Sequence, residues 1–228
     1  MMDRIFNMDN KFFTFMGKLA DLILLNLLFI ICCIPIVTIG ASITAMYYVT
    51  LKMVRNEESY LFRSFFKSFK QNLKQSTVIW LILLAVSIVL WMDFRIMGQA
   101  GDTGILRIVS IGLYFILLID GMIFAYIFPL LSKFDNTIKN TFKNSLLMAI
   151  RHFPYTVLIL AVTFIPMFLT LNYGLVMLFG ALVWLFLGFS LTAFINSTMF
   201  VRIYDQYIPK EEENEWELDE EATDSEIQ

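Results

Sequence analysis

Residues 153–201 contain no Asp, Glu, Lys or Arg, and this 49-residue uncharged run constrains the fold more than any other feature of the sequence. One helix needs roughly 20 apolar residues to cross a hydrocarbon core of about 30 Å, so the run is too long for one crossing. Pro166 and the turn signal Asn172-Tyr173-Gly174 interrupt it. The pattern predicts two transmembrane helices, over residues 154–171 and 175–201.

Three further stretches are nearly free of charge. Residues 22–51 and 75–92 carry none, and residues 108–132 carry only Asp120. The whole chain is 58% hydrophobic and 16% charged, against roughly 25% charged in an average soluble domain. This composition excludes an ordinary soluble enzyme, a disulfide-rich secreted domain and a disordered chain. It predicts an all-α, polytopic membrane bundle of about five transmembrane helices.

The stretch 22–51 has two interpretations, which the sequence leaves open. Thirty helical residues would span about 45 Å, longer than one crossing and too short for two. Pro35 and Gly40 lie in the middle, and Pro35 has no N–H to donate. The stretch is either one long kinked crossing or a helix from near Phe12, a break at Ile34–Gly40, and a second helix toward Val54.

Lys and Arg residues predict the orientation in a bacterial cytoplasmic membrane. Loop 52–74 has six of them, loop 133–151 has four, and loop 93–107 has two. The positive-inside rule places the first two loops, and with them the C-terminal tail, in the cytoplasm. Five crossings would put the N-terminus outside, which fits poorly with Arg4, Lys11 and Lys18. A broken hairpin would put it inside.

The net charge of −3 is the sum of two unlike parts. Residues 1–204 carry 16 Lys or Arg against 9 Asp or Glu, a net charge of +7. Residues 205–226 contain 11 of the 20 acidic residues. We therefore divide the chain into a helical membrane domain, 1–204, and an acidic cytoplasmic tail, 205–228, which we expect to be disordered. The overall charge gives no reason to expect a nucleic-acid partner.

Residues 60–74 have the pattern of a basic amphipathic helix. Such a helix lies in the membrane interface, with phenylalanines in the acyl boundary and lysines on anionic headgroups. Docking of a cytoplasmic partner and packing beneath the bundle are the alternatives. A weaker pattern of the same kind covers residues 134–151. The candidate interfacial or docking residues are Arg63, Phe65, Phe66, Lys67, Phe69 and Lys70.

Asp120 is the one acidic residue within a predicted span. An acid at the bilayer centre costs about 2.5–3.5 kcal/mol by insertion scales, so it should face the protein interior. It is either an ion, proton or ligand contact or a hydrogen-bonded structural residue. Gly121 beside it would permit close helix approach. Asn26, Asn172 and Asn196 are expected to bond across helices or to cap turns.

Motifs for catalysis, cofactor binding and metal binding are absent from the sequence. It has no P-loop, no dinucleotide-binding glycine motif, no H-E-x-x-H and no G-x-S-x-G. The adjacent Cys32 and Cys33 are interpreted as small core residues, and the single histidine, His152, as structural. We therefore predict no enzymatic activity, no cofactor and no metal.

Two blocks of residues resemble the YesL family of bacterial membrane proteins. The first comprises Asn26-Leu27-Leu28-Phe29, the run IPIVTIGAS beginning at Ile34, and Tyr47-Tyr48; the second is FRSFFKSFKQN beginning at Phe62. The similarity extends over about residues 10–205. The family has no established activity, and its members are often encoded beside sugar-uptake ABC transporters, sensors and polysaccharide-degrading enzymes. The resemblance thus implies a role in carbohydrate utilisation.

The expected function is a non-catalytic accessory or regulatory protein for carbohydrate uptake, with the lipid bilayer and a sugar ABC transporter or sensor kinase subunit as partners. The alternative is a small solute or ion transporter or channel subunit. That alternative rests on Asp120 and on the break at Pro35–Gly40, because broken helices often line binding sites.

Overall fold

Every regular element that the computed structural model describes is helical. It describes residues 11–57, 60–98 and 104–207. The α-helices are α1 (Lys11–Cys33), α2 (Ile39–Val54), α3 (Leu61–Met97), α4 (Gly104–Lys133), α5 (Ile138–Arg151), α6 (Phe153–Asn172), α7 (Gly174–Val183) and α8 (Phe189–Tyr204). The prediction of an inside N-terminus depends in part on Arg4, and the prediction of a disordered acidic tail depends on residues 208–228. Both Arg4 and residues 208–228 lie outside the described residues.

Six helical segments of the described chain are long and apolar enough to cross a membrane. They are Thr14–Cys33, Ile36–Val54, Leu61–Met97, Leu106–Lys133, Phe153–Asn172 and Phe179–Tyr204. The predicted all-α membrane bundle is confirmed, and the described residues contain six such segments where the sequence predicts about five crossings. The additional helix comes from residues 22–51, which contribute two helices instead of one.

The stretch 22–51 is a hairpin of α1 and α2. Its break contains Pro35 and a single 3₁₀ turn, Ile36–Thr38, and the Thr38 hydroxyl donates to the Cys32 carbonyl at 2.7 Å. This bond satisfies a carbonyl that the broken helix leaves without an N–H partner. At the open end, Lys18 Nζ donates to Asn56 Oδ1 at 2.7 Å. The two helices are therefore antiparallel.

The amphipathic stretch 60–74 is not a separate helix, so the expectation of an interfacial helix distinct from the crossing 75–92 is wrong. Both belong to α3, one helix of 37 residues with a length of about 55 Å. No Gly or Pro occurs between Leu61 and Met97 to end the helix. The weaker segment, 134–151, does contain a separate helix, α5, which Thr137 caps by accepting from the Asn140 N–H.

The uncharged run 153–201 divides at Tyr173, as the turn signal predicts. After it, α7 continues into α8 through a π-helical turn, Trp184–Gly188. The wider turn leaves backbone groups without their usual partners, and Asn26 of α1 binds them. Its Nδ2 donates to the carbonyls of Trp184 and Leu185 at 3.0 and 2.8 Å, and its Oδ1 accepts from the Ser190 N–H at 3.0 Å.

Helix α2 packs at the centre of the bundle, between α3, α4 and α8. Close approach occurs at Gly40, where an added Cβ would lie 2.5 Å from the Ser76 carbonyl oxygen and 2.8 Å from Trp80 Cβ. Gly121 was expected to permit such an approach, but a Cβ there would meet no atom within 4 Å. That prediction is wrong, because Gly121 borders open space and not a neighbouring helix.

Most of the charged side chains lie at one end of the bundle. The α2–α3 connection, α5 and the end of α8 meet there, and Arg55 pairs with Asp205. We call this the basic end. The opposite end comprises the end of α3, at Met97, and the turn at Tyr173. The hairpin break 34–38 does not reach that end, because Trp80, halfway along α3, donates to the Ile36 carbonyl of the break at 2.9 Å. Because Lys18 also lies at the basic end, α1 starts on the side where α8 finishes.

Candidate functional site

A groove of about 680 Å³ opens on the side of the bundle between α3, α4 and α6. Its walls are mainly leucine and aromatic side chains, among them Trp80, Phe124 and Phe164. Ser87 and Asp120 bring hydroxyl and carboxyl groups to the same wall. A concave apolar site with few polar groups is the usual form of a small-molecule site.

Asp120 lies in the groove, halfway along α4. Its Oδ2 accepts from the Ser87 hydroxyl of α3 at 3.2 Å, and within the described residues it has no ion pair. The side chain is half-buried. The structure thus gives this carboxyl group a hydrogen-bond donor from a neighbouring helix and leaves it facing a space that is open to the bilayer.

A second cavity, of about 380 Å³, which we call the inner cavity, is lined by residues of α1, α2, α3, α4, α6 and α8 and by Trp184 of the π-helical turn. Trp80, Phe124 and Phe164 border both this inner cavity and the groove. Three aromatic side chains therefore separate the two spaces. The residues that line the inner cavity include no charged side chain.

Asn196 of α8 lies behind the residues that line the inner cavity and is not one of them. It is fully buried, and its Nδ2 donates to the Thr163 hydroxyl at 2.9 Å and more weakly to the Tyr47 hydroxyl at 3.4 Å. Thr163 and Tyr47 both line the cavity. The Oδ1 of Asn196 is buried and has no hydrogen-bond partner in the described structure.

Two other buried hydroxyl pairs connect the helices near Asn196. Thr50 and Ser197 are 2.8 Å apart, and Tyr126 and Thr156 are also 2.8 Å apart. The expectation that asparagines bond across helices is therefore met by Asn26 and Asn196. Asn172 instead donates to Phe168 of its own helix at 2.8 Å. Sequence reasoning missed Tyr47 and Thr163, because buried hydroxyl groups in apolar helices have no distinctive spacing.

The candidate docking residues of α3 divide between two faces. Phe65 is fully buried and Phe69 packs beside it, so these two belong to the protein core and not to the acyl boundary. Arg63, Phe66, Lys67 and Lys70 are exposed, together with Phe62, and the five residues line one shallow depression. We call Phe62, Arg63, Phe66, Lys67 and Lys70 the basic aromatic surface.

His152 lies at the basic end, between α5 and α6. Its Nε2 is 3.0 Å from the Tyr207 hydroxyl, and the Arg151 guanidinium lies 5.3 Å from the centre of the same tyrosine ring. Partial burial, and then the charge of Arg151, lower the pKa of His152 below its ordinary value. These contacts hold the chain after α8 against the start of α6.

Cys32 and Cys33 are free and partly buried at the end of α1. Among the described residues, no group of three or more His, Cys, Asp or Glu side chains comes together as a metal site would require.

Comparison with known proteins finds two similarities. Residues 22–94 match the family described as "Protein of unknown function, DUF624". The chain is 28% identical over 163 residues to "Uncharacterized protein YesL" of Bacillus subtilis (strain 168), a match that covers 71% of this chain and 76% of YesL. No solved structure matches the chain. The resemblance to the YesL family is confirmed, and the descriptions of these relatives state no activity.

Proposed function

We propose that this YesL-like, multi-pass membrane protein is a non-catalytic accessory or regulatory component of a carbohydrate-uptake system. The carbohydrate context comes from the family resemblance. The mode of action comes from the basic aromatic surface, which is the observation that carries the proposal. We infer that this surface binds an acidic cytoplasmic segment of a sugar ABC transporter or sensor kinase subunit.

The position of this surface along α3 supports a partner-binding role. About 20 of the 37 residues of α3 are enough to cross a hydrocarbon core of about 30 Å. The uncharged part, 75–92, supplies this length, so residues 61–74 extend beyond the core at the basic end. The positive-inside rule places that end in the cytoplasm.

The composition of this surface also supports the proposal. Phe65 and Phe69 attach this part of α3 to the bundle, and Phe62 and Phe66 remain exposed on the other side. No ion pair of Arg63, Lys67 or Lys70 occurs within the described residues. Exposed aromatic residues and arginine are typical of protein interfaces, and three cations would select an acidic partner.

The test is purification of the tagged protein in mild detergent from cells grown on inducing glycans, followed by mass spectrometry. We expect the wild type to recover a transporter or sensor subunit. The variant Arg63→Glu/Lys67→Glu/Lys70→Glu should lose that subunit, because it reverses the charge of the surface without changing the buried Phe65. The matched control is Lys139→Glu/Lys143→Glu, which reverses two exposed charges on α5.

Recovery of the same subunit by the wild type and by the α3 variant would contradict binding at this surface. Failure of the wild type to recover any transporter or sensor subunit would contradict the proposed function as a whole. A chain truncated after Tyr207 completes the test. If the truncated chain binds the subunit and the full chain does not, the acidic tail of the full chain occupies the surface. That result would mean that an external partner is not bound there in the full chain.

A second candidate function is transport of a small solute or ion, which the Ser87–Asp120 pair in the lateral groove favours. Ionisable residues within membrane spans often mark transport pathways. Flux into liposomes that contain the correctly inserted protein tests this. The alternative predicts measurable flux that Asp120→Asn reduces, and an absence of flux in the wild type would exclude it.

A further inference from the structure

We propose that the lateral groove between α3, α4 and α6 is a binding site for a hydrophobic organic cation, an ammonium group on an apolar body, that enters from the bilayer. The carboxylate of Asp120 would accept hydrogen bonds from the ammonium group, and the leucine and aromatic side chains of the groove would contact the apolar body. The site is separate from the basic aromatic surface, and binding there requires neither the proposed partner nor transport.

The carboxyl group of Asp120 is within reach of a ligand in the groove. Asp120 and Ser87 are both among the residues that line it, and the hydrogen bond between them is exposed. Ser87 itself is an exposed residue of α3. At Gly121, an added Cβ would meet no atom within 4 Å, so the space beside Asp120 is open. A ligand can therefore contact the carboxyl group without any rearrangement of the helices.

The charge of Asp120 selects a cation. Ser87 donates one hydrogen bond to its Oδ2, and the two ion pairs found among the described residues are at the basic end and do not include Asp120. A carboxylate that is partly removed from water and has no counter-charge is costly, and opposite charges attract more strongly as the dielectric constant falls. A bound ammonium group would supply the missing counter-charge and donate charge-assisted hydrogen bonds to the same carboxylate.

The other groove residues exclude a ligand that also carries a negative charge. Among the described residues that line the groove, Asp120 is the only charged one, so no Lys or Arg there could pair with a phosphate or carboxylate group of the ligand. This excludes the headgroup of a zwitterionic aminophospholipid, in which a phosphate accompanies the ammonium group. The ligand is therefore a monovalent cation without an anionic group.

The walls of the groove fit an apolar body attached to that cation. The groove volume of about 680 Å³ lies within the roughly 300–1,000 Å³ that is usual for small-molecule sites. Phe124 follows Asp120 by four residues and lines the same groove, so the two side chains are neighbours on one face of α4. A cation bound to Asp120 therefore also meets an aromatic ring, which is a favourable contact for an ammonium group.

The depth of Asp120 favours entry from the membrane. The rings of Phe94 and Tyr114 are 4.9 Å apart, so Tyr114 of α4 lies level with Asp93 and Arg95, where the uncharged part of α3 ends. Asp120 is six residues from Tyr114 in the direction of the basic end, which is about 9 Å along the helix. A hydrophobic cation that partitions into the leaflet opposite the basic end would therefore reach the carboxylate sideways, through the open side of the groove.

The test compares two photoactivatable probes that differ in charge, a diazirine-bearing dodecylamine and the equivalent dodecanol. The full chain is reconstituted in phosphatidylcholine nanodiscs at neutral pH, where the amine is protonated, and crosslinks are mapped by mass spectrometry. Labelling is normalised to that of Met177 and Phe179, exposed residues of α7. We expect the amine to label groove residues about tenfold more than the alcohol, the ratio for one charge-assisted hydrogen bond. Equal labelling by both probes, or no labelling of the groove by either, would overturn the proposal.

Asp120→Asn tests the role of the charge. It removes the charge and leaves the size of the side chain almost unchanged, so labelling by the amine should fall to that by the alcohol. The matched control is Asp93→Asn, which removes the same charge from a residue of α3 that does not line the groove, and it should keep the preference for the amine. Retention of that preference in Asp120→Asn would overturn the proposal.

Gly121→Leu tests the place of binding. The new side chain would enter the open space beside Asp120, so labelling of the groove by both probes should be lost. The matched control is Gly112→Leu, because a Cβ at Gly112 also meets no atom within 4 Å but Gly112 does not line the groove. Unchanged labelling in Gly121→Leu would overturn the proposal, and this variant decides the question if Asp120→Asn does not fold.

Discussion

Tyr126 and Tyr204 are fully buried tyrosines that differ in one hydrogen bond. The Tyr126 hydroxyl is 2.8 Å from the Thr156 hydroxyl, whereas the Tyr204 hydroxyl has no partner in the described structure. A buried hydroxyl group that lacks a partner destabilises the protein, and one that has a partner contributes modestly to stability. The same substitution at these two positions therefore compares a buried hydroxyl group that has a hydrogen-bond partner with one that has none.

We predict opposite effects of Tyr→Phe at these two positions. Tyr126→Phe should lower the free energy of unfolding by about 1 kcal/mol, and Tyr204→Phe should leave it unchanged or raise it by up to about 1 kcal/mol. Unfolding by sodium dodecyl sulfate in mixed micelles measures both. A larger loss for Tyr204→Phe than for Tyr126→Phe would contradict the assigned hydrogen bonds.

His152 should make stability depend on pH. Its pKa in the folded protein is lowered by partial burial and by Arg151, so the unfolded chain takes up a proton at a higher pH than the folded protein does. The stabilisation is complete above the ordinary histidine pKa of about 6.5 and is lost as the pH falls through the lowered value. The Tm of the wild type should therefore fall, relative to that of His152→Gln, on acidification below neutral pH. Parallel Tm curves for the two proteins would contradict this.

At the scale of elements, the π-helical turn between α7 and α8 depends on Asn26. Three hydrogen bonds from this side chain satisfy two carbonyl groups and one N–H group of the turn. Asn26→Leu should destabilise the protein by roughly 3 kcal/mol, because it leaves these buried groups unpaired. The control is Asn172→Leu, which removes an exposed bond within α6 and should have little effect. Equal unfolding curves for the two variants would exclude the role of Asn26.

The α2–α3 contact depends on the absence of a side chain at Gly40. A Cβ there would overlap the Ser76 carbonyl oxygen and Trp80 Cβ, and both atoms belong to rigid parts of α3. Gly40→Ala should cost about 1–3 kcal/mol of stability through overpacking. Gly112→Ala, on α4, meets no atom within 4 Å and should be neutral. Unfolding in mixed micelles compares them, and a neutral Gly40→Ala would contradict the packing described here.

At the scale of the whole molecule, the sequence predicts the features that depend on local signals. Pro35 marks the hairpin break, and Asn172-Tyr173-Gly174 marks the turn after α6. The continuity of α3 could also have been predicted, because no Gly or Pro interrupts it. The change from a basic to an uncharged pattern along the sequence instead suggested two separate elements.

Features that depend on contacts between residues far apart in the sequence cannot be predicted from local sequence signals. The π-helical turn is bound by Asn26, which is more than 150 residues earlier in the chain. Gly40 and Gly121 are both plausible contact residues in the sequence, and only the helix arrangement shows that Gly40 is the one at an interface. The residues that line the inner cavity come from six helices, so its polar residues have no common spacing.

We predict that the hairpin of α1 and α2 brings both the start of α1 and the end of α8 to the basic side of the membrane. Labelling of single cysteines by a membrane-impermeant maleimide in intact cells tests it most directly. The background is Cys32→Ala/Cys33→Ala, and the labelling sites are Thr14→Cys, Gly98→Cys, Lys139→Cys and Asn172→Cys.

With the hairpin, the reagent labels positions 98 and 172 in intact cells, and positions 14 and 139 only after permeabilisation. Positions 14 and 139 then lie on the same side of the membrane, as the hydrogen bond between Lys18 and Asn56 at the basic end requires. Labelling of position 14 together with position 98 in intact cells would place the start of α1 outside. That result would contradict the hairpin and restore the five-crossing arrangement.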